Sequence, residues 1–210
     1  AALFRRLLTR GVPLKAFTDD SIFRGVLTGL NEAFVIDRST RDLIVDRDAT
    51  ASAFIHPLVT GQDLRPWYKD NAGRFLIVVP AGWSKQAFGT DDVEAHAWMR
   101  FQQRHPSLAN HLEPFAVDAR KRGDKGDFWW ELRSCDYYWA FDTPKIIFPD
   151  IAKLPRYSLD RSNTYVNNTG YFIPNADEYL LSILQSRVIW FATSQISQPL
   201  RLRAGLWQYR

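Results

Sequence analysis

The sequence predicts an α+β fold: a mixed, mainly antiparallel sheet with a helical insertion and C-terminal helices. Three observations lead there. Apolar runs of strand length, Arg74 to Pro80 (RFLIVVP) and Lys145 to Phe148 (KIIF), are closed by prolines. A helical spacing of apolar residues fills the middle of the chain, from Asp91 to Arg122. A second one fills its end, from Glu178 to Ile196. At 210 residues the chain is long enough for one large domain, or for one domain with a helical annex.

The elements follow in order. Leu3, Leu7 and Leu8 share a helical face opposite Arg5 and Arg6, and Gly11 and Pro13 end that segment, so residues 1–22 read as a linker helix. From Phe23 to Asp37, Gly25, Gly29 and Asn31 precede the apolar run Ala33 to Ile36. This is a glycine-bearing turn feeding a strand, and it fits a plain hairpin turn equally well. Residues 53–68 (AFIHPLVTGQDLRPWY) read as a short helix or strand, a turn at Gly61 and an extended piece restricted by Pro66. Arg74 to Pro80 is the natural central strand.

Thr90 is placed as N-cap of a helix from Asp91 to Arg104, with Asp91, Asp92 and Glu94 at its positive end and Val93, Ala97 and Phe101 on one face. A second helix carries Leu108, Leu112, Phe115 and Ala119, with Pro114 expected to kink or divide it and Gly123 to stop it. Residues 156–159 and 165–174 read as a hairpin followed by another strand. Asn175 with Glu178 resembles a capping box opening the C-terminal helices.

Net charge is +4 and the pI about 9.3, a modest excess that suits a polyanionic partner. Both ends are basic. Arg120, Lys121, Arg122 and Lys125 form a third cluster, whose plain reading is a solvated helix end. The single cysteine, Cys135, excludes an internal disulfide and fits a reducing compartment, so a cytoplasmic protein is expected. No apolar run is long enough to span a bilayer, and no membrane partner is expected. The chain opens in mid-pattern and without methionine, which reads as a piece of a longer polypeptide.

The densest stretch is Lys125 to Asp150 (KGDFWWELRSCDYYWAFDTPKIIFPD). Seven rings surround the polar segment Arg133 to Asp136, so it reads either as a rigid binding surface or as a strand, turn and strand whose rings are core. Together with GVLTGLNEAFVID (Gly25 to Asp37), PKIIFPDIA (Pro144 to Ala152) and NNTGYFIP (Asn167 to Pro174), it resembles the TaqI-like C-terminal specificity domain. That family is the DNA target-recognition part of adenine-specific methyltransferases and of fused restriction-modification enzymes. The four segments occur in the family's order and span about residues 23–196. One departure falls at Gly61, where family members usually carry a neighbouring basic residue and this chain has Thr60 and Gln62.

The resemblance implies a specificity domain over residues 23–210, double-stranded DNA as partner, and a preceding methyltransferase domain of the same polypeptide. That absent half would use S-adenosylmethionine. The chain itself has no glycine-rich cofactor turn and no Asp/Asn-Pro-Pro-aromatic loop, so no catalytic residue and no cofactor are assigned to it. His56, His96, His105, His111 and Cys135 lack the paired spacings of a zinc site, so no metal is assigned either. The DNA-binding candidates are loop residues: Arg24, Thr28, Asn31, Arg133, Ser134, Tyr137, Asn168, Arg201 and Arg203. Two other readings stay open. One is a protein-interaction module using the aromatics, and the other a nuclease that uses Asp150.

Overall fold

The apolar run after Pro144 becomes the strand Lys145–Pro149, buried at all five residues, and it lies inside its sheet as a run without polar alternation should. The computed structural model describes residues 2–89, 93–199 and 207–208. They fall into two compact units, one within residues 1–26, 59–72 and 139–210, the other within residues 27–58 and 73–138.

In the first unit the four-stranded sheet runs in the order Phe23–Arg24, Gly170–Pro174, Lys145–Pro149, Ser158–Asp160, antiparallel throughout. Phe172 faces both Phe23 and Ile147 across the ladders, and Lys145 faces Asp160. The core set Ile146, Phe148, Tyr157, Ile173, Leu180, Leu181 and Leu184 joins this sheet to the helix Glu178–Leu184. Its cap is Asp177, whose carboxylate accepts from the Leu180 N–H at 2.9 Å, so the expected box at Asn175 is not the one used. Asn175 instead turns the chain with φ 53°. Ser186 caps the helix Arg187–Ile196. At the other end of the chain Ala2–Arg10 is helical and buries none of its residues.

Sequence and structure differ at the expected hairpin. Ser158–Asp160 pairs with Lys145–Pro149, not with Tyr165–Val166. The reason is a buried ion pair that fixes the register: Lys145 Nζ donates to Asp160 Oδ2 at 2.8 Å and to the Phe141 carbonyl at 2.7 Å, both side chains being wholly enclosed.

In the second unit Arg74–Ile77 is central between Val35–Asp37 and Ile55–Val59, antiparallel to both. The expected strand at Ala33 begins as a helical turn, Asn31–Phe34, before extending at Val35–Asp37. Asp37 caps the helix Arg38–Arg47 through the Thr40 N–H at 2.8 Å. Glu94–Arg104 is the expected insertion helix, burying Ala97 and Phe101. The placements of Thr90, Asp91 and Asp92 lie outside the described residues. Pro114 divides the next helical stretch as expected, into Pro106–Leu112, a tight turn at Glu113–Phe115 and Ala116–Lys121.

The core here is aromatic. Trp98 packs on Trp129 and Trp130 with centroids 4.5 and 5.0 Å apart, Phe128 stacks on Trp130 at 4.7 Å, and Phe54 meets Trp83 edge-on at 4.9 Å. The rings of the central stretch are therefore mostly core: Phe128, Trp129 and Trp130 are buried here, Phe141 is buried in the first unit against Tyr165 and Phe172, and only Trp139 of that stretch stands clearly out. They are carried by turns and the short helix Tyr138–Asp142 rather than by strands.

Candidate nucleic-acid interface

Two groups of surface loops carry the candidate residues. The first lies in the first unit, where the strand Phe23–Arg24 and the turns at Gly61 and Asn167–Thr169 meet. Gly25 N donates to the Gly170 carbonyl at 2.9 Å and Val26 N to the Val166 carbonyl at 2.8 Å. A Cβ on Gly25 would sit 2.1 Å from the Asn167 oxygen, so only glycine permits this approach. Gly61 N donates to Thr169 Oγ1 at 2.8 Å, and a Cβ on Gly61 would lie 2.6 Å from the Thr169 carbonyl. Thr169 Oγ1 in turn donates to Asn167 Oδ1 at 2.5 Å. Arg24 Nε donates to the Asn168 carbonyl at 3.3 Å, so the structure brings Arg24 and Asn168 together as neighbours. Gln62 and Thr169, both exposed, belong to the same edge and were not among the sequence candidates. The signal available for them was Gly61, a glycine between two hydrogen-bonding side chains.

The second group lies in the second unit. Thr28 is buried: its hydroxyl donates to Asn31 Oδ1 at 2.7 Å and accepts from the Leu30 N–H at 3.2 Å. Thr28 therefore shapes this loop, and Asn31 is exposed beside it. The Thr28 carbonyl accepts from Arg122 Nη1, which also reaches the Asp124 carbonyl at 3.3 Å, while Asp124 Oδ1 faces Arg133 Nη1 at 3.4 Å. The loop at residues 28–31 and the segment bearing Arg133 are thus joined through Arg122 and Asp124. Arg133 and Ser134 are exposed, and Tyr137 is half-buried. Arg201 and Arg203 lie outside the described residues.

The expected basic cluster does not form one face. Arg122 is buried, its guanidinium over the Phe34 ring at 4.3 Å, donating to the Trp129 and Glu131 carbonyls at 2.7 and 3.0 Å. Burial pushes it down to about 10, with Asp124 opposing, so it remains charged at neutral pH. Arg120 pairs with Glu94 at 2.8 Å, Lys121 with Asp118 at 2.8 Å, and Lys125 donates to the Arg122 carbonyl at 3.1 Å. Acids pair with Arg120 and Lys121, and backbone carbonyls take up Arg122 and Lys125, so the run of cations in the sequence is not one free basic face.

Burial also pushes the Cys135 thiol up, which makes a poor nucleophile of it at neutral pH. Among the described residues no three His, Cys, Asp or Glu groups could hold a metal ion. Among them, too, no helix is long and apolar enough to cross a membrane.

Burial pushes His105 and His111 below the ordinary histidine range, opposed at His105 by Asp48 and at His111 by its bond to the Ala33 carbonyl at 3.0 Å. A depressed histidine is neutral in both states above its unfolded value. As pH falls through about 6.5 the unfolded chain takes up protons that the native chain refuses, and stability drops. Urea midpoints should therefore fall between about pH 7.5 and 5.5, and fall less in His111→Gln; equal slopes in both proteins would count against this origin.

No family model matches the chain, and no curated protein matches it in sequence. Among solved structures it is similar to MmeI, a type IIL restriction-modification enzyme solved in complex with DNA, with a TM-score of 0.51 and 13% identity. The match covers 90% of this chain and 23% of that one, so this chain spans under a quarter of that enzyme's length. At this identity the likeness is one of fold: the α+β arrangement described above is also found within a restriction-modification enzyme.

Proposed function

We propose that the chain is a DNA target-recognition domain, binding duplex DNA sequence-specifically for an adenine-specific (N6) methyltransferase or a fused restriction-modification enzyme of the TaqI-like type. The observation that carries this reading is the fold shared over 90% of the chain with part of a restriction-modification enzyme held on DNA. Two further observations support it. The chain has none of the motifs that methyl transfer needs, so a binding role fits it better than a catalytic one. Exposed arginine side chains also sit on loops braced by neighbouring residues, Arg24 by the Asn168 carbonyl and Arg133 by Asp124.

In this reading cations hold phosphates and set the register, and a few loop side chains read base edges in the major groove. S-adenosylmethionine and the base-flipping pocket belong to a methyltransferase domain of the same polypeptide. The chain's sequence carries no glycine-rich turn for that cofactor.

The test is binding to a pool of random duplexes across a salt titration, with the bound fraction sequenced. The expected result is a steep loss of affinity with salt and an enriched short motif containing adenine. Arg133→Ala should weaken binding to that motif by about 1–3 kcal/mol and binding to random DNA much less. Absence of binding at every salt concentration overturns the reading in favour of a protein-interaction module.

A further inference from the structure

The loop edge of the first unit holds more than Arg24 and Asn168. Gln62 follows the glycine whose N–H is tied to Thr169, and its own backbone is fixed on both sides. Its N–H donates to Thr60 Oγ1 at 3.3 Å and its carbonyl accepts from Arg65 Nη1 at 2.6 Å. Thr60 is held in turn, its N–H and hydroxyl both donating to Asp63 Oδ2 at 2.6 and 2.8 Å. Arg65 is braced by Asp70 at 2.7 Å. The side chain of Gln62 is exposed while its own N–H and carbonyl and the N–H groups of Gly61 and Asp63 on either side are engaged. A carboxamide that the fold does not use is thus presented from a backbone that cannot easily move.

Asn168, half-buried, lies in the facing turn. Its carbonyl accepts from Arg24, and the residues on either side are locked by the Thr169 N–H and hydroxyl, both donating to Asn167 Oδ1. Gln62 and Asn168 each stand one residue from the Gly61–Thr169 hydrogen bond, so one chain step on either side keeps the two backbone positions within a few base-pair steps of each other. A planar carboxamide has a donor and an acceptor side by side, the complement of adenine's N7 acceptor and N6 amino donor in the major groove. The neighbouring guanidinium of Arg24 suits a phosphate.

We propose that these two turns form one base-reading edge, with Gln62 a specificity-determining residue that reads an adenine beside the base met by Asn168. This rests on the DNA-binding reading above and adds to it the residue and the base. The test compares wild-type protein with Gln62→Ala and Gln62→Glu in the random-duplex selection, alongside melting curves.

Gln62→Ala should melt like the wild type and lose about 5- to 150-fold in affinity for the wild-type motif. It should bind random duplexes unchanged and lose its adenine preference at one position. Gln62→Glu, an acceptor only, should shift that position toward cytosine, whose N4 amino group donates. A wild-type protein that enriches a motif while both variants enrich the same motif with the same affinity overturns the role of Gln62 and leaves the DNA-binding reading standing. Equal loss on motif and random DNA also overturns it, as a phosphate contact would. A wild type that enriches no motif removes base reading by the chain altogether, Gln62 included.

Discussion

Lys145→Met is expected to cost about 3 to 5 kcal/mol of stability, because it removes one partner of a buried ion pair and leaves the other charged. Asp160 would keep Lys69 Nζ at 2.9 Å, the Thr164 N–H at 3.0 Å and the Ser162 hydroxyl at 2.7 Å, but its fully enclosed Oδ2 would face a thioether. Urea unfolding measures the loss, and the double variant Lys145→Met/Asp160→Asn should recover part of it, since the carboxamide carries no charge to strand. A single variant within about 1 kcal/mol of the wild type would mean that the ammonium is not part of the core's support. Burial alone would raise Asp160, but the charge and hydrogen bond of Lys145, with donors from Lys69 and Ser162, outweigh it and hold the carboxyl well below the usual range. Its contribution is thus complete above the unfolded value near 3.9 and is lost as pH falls below that. Acid unfolding of Asp160→Asn should begin from a lower plateau and depend less on pH in that window.

Glu131→Ala is expected to cost about 4 kcal/mol or to prevent folding, by leaving buried and half-buried N–H donors without an acceptor. Glu131 is wholly buried, yet its carboxylate bridges two segments distant in sequence. Oε1 accepts from the Ser84 N–H at 2.9 Å, and Oε2 from the N–H groups of Gly82 and Asp127 at 3.0 and 2.9 Å, with Phe128 at 3.4 Å. Gly126 makes room for it, since a Cβ there would lie 2.7 Å from Oε2. Glu131→Gln keeps one acceptor oxygen and turns an amino group toward N–H donors, so about half the loss is expected. Thermal melting ranks the three proteins, and a Glu131→Gln variant as stable as wild type would show that a neutral acceptor suffices. The loss should reach the candidate interface as well, because Arg133 follows two residues after Glu131 and is held by Asp124.

Much of the fold was legible because it rests on local chemistry. The run RFLIVVP and the strand after Pro144 needed only their apolar length, and Pro114 announced its own interruption. What escaped notice depended on long-range partners. Arg122 reads as one of four surface cations until Thr28, Trp129 and Glu131 are seen to surround it, and Thr28 reads as a free loop hydroxyl until Asn31 takes it up. The ring-rich centre could be read as surface or core because periodicity is absent from it, and only packing decides. Of the candidate site, Arg24 was legible as a residue beside Gly25 and Asn168 as part of the Asn-Asn-Thr run before Gly170. Gln62 was not, since its meaning comes from Thr169, a hundred residues away in the chain.

The way the Gly61 and Asn167–Thr169 turns are held has an evolutionary corollary. Their shape is secured by glycines, by main-chain groups and by Thr60, Asp63, Asn167 and Thr169, none of which has to change when positions 62 and 168 do. Mutations at exposed position 62 would be nearly neutral for folding, while under the base-reading proposal the same mutations would redirect what the edge selects. A scaffold built this way can diversify by single substitutions without passing through unfolded ancestors, whereas change at Gly25 or Gly61 would be purged whatever the target.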